Sequence, residues 1–116
     1  MVWIIFALLI TSTFAHELAP GGKMAFRHTV TAGKTYNISM DWRSVGVAEP
    51  TSTVVMIVSW MKGAETVQRD YLEKRGALAE RVLLCPEGTD SAQVDVTLRW
   101  PSTGKLNFSE IGRAHV

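Results

Sequence analysis

Cysteine occurs once in this 116-residue chain, at Cys85. A lone thiol excludes an internal disulfide framework and a cysteine-rich zinc site, because each needs partners within the chain. A surplus of charge is also missing: twelve Lys and Arg stand against eleven Asp and Glu, a net charge of +1. Nucleic-acid binders gather excess basic residues on one surface to neutralise phosphates, so a nucleic-acid partner is not expected. No apolar run reaches the roughly 20 residues that a stable membrane span takes. His16 and His28 have no chelating spacing, no carboxylates form a recognisable acid/base pair, and no residue is set up as a nucleophile, so the chain does not read as an enzyme. Repeats and low-complexity tracts are absent. What remains has the length and apolar content of one small domain.

Both ends of the chain read differently from its middle. Met1 to Ile10 are all apolar, and small residues at Thr13 and Ala15 precede the polar His16 and Glu17. Residues 1–15 therefore read as a secretory signal peptide cleaved after Ala15, which places the protein outside the cytoplasm. No basic residue precedes the run, and a buried first strand is the rival reading. At the other end, Ile111-Gly112-Arg113-Ala114-His115-Val116 resembles the in-frame translation of a sequencing-library adapter, with Glu110 at the junction. Residues 110–116 are accordingly expected to be a scar that interrupts a longer secreted protein. Between the two ends, residues 16–23 contain Ala19-Pro20-Gly21-Gly22 and read as an exposed loop leading into a domain over 24–109.

Within that domain the dominant pattern is alternation. Over Tyr36–Arg43 every even residue is apolar and every odd one polar, the period of a half-buried strand. Met24 to Val30 and Ala92 to Trp100 alternate in the same way, with Val94, Val96, Leu98 and Trp100 inward. Thr53 to Met61 is almost continuously apolar and reads as a central strand covered on both faces. Lys105 to Ser109 starts a closing strand that the junction would shorten, leaving the sandwich incomplete. Residues 65–84 are read as strand, loop, strand; a helix is the rival, supported by an Asp70–Lys74 pair at i,i+4 spacing and opposed by Gly76. Strands throughout, with turns at the glycines, predict an all-β antiparallel sandwich.

Five short segments carry a family resemblance: Gly33-Lys34-Thr35-Tyr36, Val58-Ser59-Trp60, Cys85-Pro86-Glu87-Gly88, Val96-Thr97-Leu98-Arg99-Trp100 and Gly104-Lys105-Leu106-Asn107-Phe108. Together they resemble the jelly-roll carbohydrate-binding modules of the family 4 and 9 type, members of the galactose-binding-like β-sandwiches. Similar modules stand ahead of catalytic domains in secreted bacterial hydrolases, including carbon-nitrogen hydrolases. The resemblance covers roughly residues 24–109 and implies a jelly roll, a polysaccharide or oligosaccharide partner, and a fused downstream domain. It implies no cofactor for chemistry, although such modules often hold a structural calcium ion, for which the loop acids Glu87 and Asp90 are the weak candidates here.

Sugar recognition stacks the apolar face of a pyranose on an aromatic ring while polar groups take the hydroxyls. The rings available for this are Trp60 and Tyr71 first, one at a strand end and one in the 65–84 segment. Trp42 and Trp100 follow, since both lie in register with core residues. Polar residues on two alternating strands, Asn37, Ser39, Asp41 and Arg43 on one and Gln93, Asp95, Thr97 and Arg99 on the other, would line a shallow groove if those strands were neighbours. The rival reading is an ordinary solvated sheet face. Within functional classes, attachment of a partner enzyme to polysaccharide competes with a structural sandwich that packs on its downstream domain and binds no sugar.

Overall fold

A computed structural model of the protein describes residues 14–115, with side chains through residue 111. The expected signal peptide, apart from Phe14 and Ala15, lies outside the described residues. The elements are β1 (His16–Leu18), β2 (Lys23–Thr29), β3 (Thr35–Val45), the four-residue helix α1 (Pro50–Thr53), β4 (Val54–Lys62), β5 (Glu65–Tyr71), β6 (Glu73–Arg75), β7 (Leu78–Leu84), β8 (Ser91–Leu98) and β9 (Lys105–His115). Every strand pair is antiparallel.

The strands form two sheets, ordered β1-β9-β3-β7-β6 and β2-β8-β4-β5. Without the short edge strand β6 this is the order of a jelly roll, eight strands wound alternately into two four-stranded layers. The expected all-β antiparallel sandwich is what the chain forms. Its core comes from the two inner faces, as the alternation requires. Tyr36, Ile38, Met40 and Trp42 of β3 meet Val94, Val96 and Leu98 of β8 and Val54, Met56, Val58 and Trp60 of β4, all buried. At one end of the layers Phe26 and Phe108 meet edge-on, with ring centroids 6.1 Å apart and His16 beside both. There His28 Nε2 lies 2.6 Å from Glu110 Oε2, across the two sheets.

Several boundaries differ from the sequence reading. The loop expected at 16–23 opens with a strand, because His16, Glu17 and Leu18 pair with Phe108, Asn107 and Leu106; only 19–22 turns. β9 runs across the junction expected at Glu110 and pairs along β3 as far as His115. β4 is an inner strand whose outer face is covered only in its second half: Val55 and Ile57 are partly exposed there, while Ser59 and Met61 are buried.

Residues 65–84 form β5, β6 and β7, in accord with strand, loop, strand, although the loop itself holds a short strand. The helical Asp70–Lys74 pair does not form. Asp70 accepts from Trp60 Nε1 at 2.9 Å, while Lys74 Nζ donates to the Val54 carbonyl at 2.7 Å. Between β5 and β6 the chain crosses from one sheet to the other at Leu72, whose buried side chain and N–H bond to Met56 O fix the crossing. Gly76, at φ +57°, closes the β6–β7 hairpin.

Gly104 is the most constrained turn residue. At φ +82°, a Cβ there would lie 2.1 Å from Val45 O and 2.6 Å from the Gly46 carbonyl carbon. Gly104→Ala is expected to cost more than the roughly 1–2 kcal/mol of a left-handed residue alone, because backbone must also move. Urea unfolding checks this; an unchanged midpoint would contradict it.

Cys85 is buried, in keeping with its reading as a small apolar residue at a strand end. Burial, and then the charge of Glu87, push its thiol above the ordinary range. Native protein at pH 8 should therefore resist iodoacetamide, and unfolded protein should label promptly. Fast labelling of the native state, read by mass spectrometry, would contradict the burial.

Candidate functional site

An open groove is assembled from three chain segments that the sheet order brings together. Strand β4 supplies a floor through Val54 and Val55, with Thr51 and Ser52 of α1 at its head. The end of β5 and the adjoining β6 supply Tyr71 and Lys74; the end of β8 and the residue beyond it supply Thr97 and Arg99. The groove holds about 480 Å³. A smaller depression of about 180 Å³ adjoins it, sharing Ser52 and Arg99 and walled by Trp100 and Pro101.

Two rings stand at this site in solvent, Tyr71 at 61% exposure and Trp100 at 74%. Tyr71 ends β5 opposite Ile57 on the outer face of the sheet, and its carbonyl accepts from Arg81 Nη1 at 3.2 Å. Trp100 is outside its strand. The ladder stops at Leu98; the N–H of Arg99 then donates to Thr53 O, and Pro101 has no N–H with which to continue pairing. The inward register expected for Trp100 is thus broken two residues early, and its side chain comes to stand over Gly21 of the β1–β2 turn, where an added Cβ would meet the ring at 3.9 Å. That turn is tied to the end of β8 by Gly21 N–H to Leu98 O at 2.8 Å and Leu98 N–H to Gly22 O at 3.1 Å.

The other expected site residues fall elsewhere. Trp60 is fully buried and unable to stack on a ligand, because β4 continues through Lys62 and keeps Trp60 in phase with Val54, Met56 and Val58. Trp42 is buried in β3, as its register predicts. The polar groove expected from two neighbouring strands does not exist: β3 and β8 belong to different sheets, so Asp41 and Arg43 face away from Asp95 and Arg99. Asp95 shares the outer face of its sheet with Thr97, but its carboxylate accepts from Gln93 Nε2 at 3.1 Å and does not line the groove. Of the eight residues expected, Tyr71, Arg99 and Trp100 are brought together.

Comparison with known protein families and with curated proteins finds no match.

Lys74 was not foreseen as a site residue, because it falls within the expected strand, loop, strand segment with no motif to mark it. Its partial burial holds the ammonium below the ordinary lysine range. Neither Lys74 nor Arg99 forms an ion pair among the described residues. Asp90 Oδ1 accepts from the Gly63 N–H at 3.3 Å, and no cluster of three acidic, His or Cys side chains converges on Glu87 and Asp90 among the described residues. No helix among the described residues is long and apolar enough to cross a membrane.

Proposed function

We propose that this protein is a non-catalytic glycan-binding β-sandwich, secreted and joined to a downstream domain that it holds on polysaccharide. The observation that carries this reading is the pair of exposed rings, Tyr71 and Trp100, on two adjoining depressions that share Arg99 and Ser52. Tyr and Trp, with an apolar body and a polar handle, are enriched at contact surfaces, and rings grouped beside polar residues mark such a surface. Sugar rings stack on such surfaces, and hydroxyl and guanidinium groups alongside supply directional bonds. Attachment then raises the local concentration of the linked domain on its polymer.

The resemblance to carbohydrate-binding modules and the jelly-roll strand order support the same reading. Calorimetric titration of the full chain with soluble β-glucans, xylan, mannan and pectic polymers tests it. Saturable binding to at least one, weakened by Tyr71→Ala, is the expected result.

Val82 and Leu84 favour a second reading. Both are large apolar residues exposed on β7, in the opposite sheet from the groove. They suit packing against a neighbouring domain, the structural role that needs no sugar. Uniform failure of the titrations would leave that role ahead.

A further inference from the structure

The lining of the groove says more than that a sugar ring fits. A neutral sugar presents hydroxyls that both donate and accept, so its sites mix donors with carboxylate and amide acceptors. Here the charged groups are Lys74 and Arg99, which only donate, and no Asp or Glu lines either depression. Carboxylates nearby are already engaged: Glu73 accepts from Arg75 at 2.8 Å, and Asp70 accepts from Trp60 and Gln68. Lys74 spends one donor on the carbonyl of Val54, another lining residue, and keeps two donors. Arg99 has no hydrogen-bond partner for its side chain among the described residues. Two unpaired cations, one partly withdrawn from water, match a ligand group that only accepts and carries negative charge. A planar carboxylate meets the guanidinium fork in two parallel bonds.

The geometry points to a uronic-acid-containing glycan as the occupant, its carboxylate taken by Lys74 and Arg99 while its rings stack on Tyr71 and Trp100. This rests on the glycan-binding reading above and adds the class of glycan.

The test uses the full chain and three probes, polygalacturonate, alginate and glucuronoxylan, each beside its carboxyl-reduced counterpart, with dextran sulfate as a polyanion control. At least one acidic polymer is expected to bind roughly tenfold or more tighter than its reduced form, with affinity falling as salt rises. Arg99→Gln, at an exposed position, should erase that difference, and Lys74→Met, which keeps the stem and removes the charge, should do the same independently. Equal affinity for acidic and reduced polymers overturns the acidic assignment while leaving glycan binding in place. Dextran sulfate binding as tightly as every uronate overturns it too, since charge alone would then explain the attraction. Binding to no polymer, acidic or neutral, overturns both readings together.

Discussion

Trp60→Ala is expected to lose about 3–5 kcal/mol of stability, the usual cost of removing a fully buried aromatic side chain. For a domain of this size that corresponds to a fall in melting temperature of about 12 °C or more, a large share of a typical total stability. The cause is twofold. Trp60 is fully buried in the core between the sheets, and its Nε1 donates to Asp70 Oδ2 at 2.9 Å, tying β4 to β5. Trp60→Phe keeps most of the volume and loses the donor, so it should cost about 1–3 kcal/mol. Thermal and urea unfolding distinguish the two. A variant with an unchanged midpoint would show that Trp60 is not part of the core.

The second large effect runs the opposite way, on binding without stability. Trp100→Ala and Tyr71→Ala each remove a ring that is mostly in water, so folding should change by no more than about 0.5 kcal/mol. Each should weaken glycan binding by roughly tenfold or more, in line with the anchoring role of aromatics at contact surfaces. The double variant should show no measurable binding in calorimetry while keeping the wild-type melting temperature. Affinity that survives the double substitution would move the site away from this groove.

The contrast between Trp60 and Trp100 shows what was legible in the sequence. Period-two alternation over Tyr36–Arg43 and Ala92–Leu98 predicted which residues face inward, and burial follows it through Tyr36, Ile38, Met40 and Trp42 and through Val94, Val96 and Leu98. Alternation holds only while a strand is paired. Its end points are set by tertiary contacts: β4 runs two residues past Trp60, and β8 stops two residues before Trp100. The same rule applied one strand too far or too short exchanges a core ring for a surface one. That is why the two tryptophans trade the roles the sequence suggests.

The groove itself was less legible. Its residues come from 51–55, 71–74 and 97–99, and only the order β8-β4-β5 and the crossing at Leu72 bring these segments side by side. Polar periodicity offered Asp41 and Arg43 as partners for Asp95 and Arg99, but periodicity carries no information on which strands become neighbours. Lys74 was hidden for a related reason. No motif marks it within the 65–84 segment, and only the crossing at Leu72 brings it to the groove.

The most direct test of the account is acrylamide quenching of tryptophan fluorescence, with and without saturating glycan, in the wild type and in Trp100→Phe. Among the described tryptophans Trp42 and Trp60 are buried and should be insensitive to the ligand, so glycan is expected to protect Trp100 in the wild type and to leave the quenching of Trp100→Phe unchanged. Binding that leaves the wild-type quenching curve where it was, or that protects both proteins equally, would contradict a site built on Trp100.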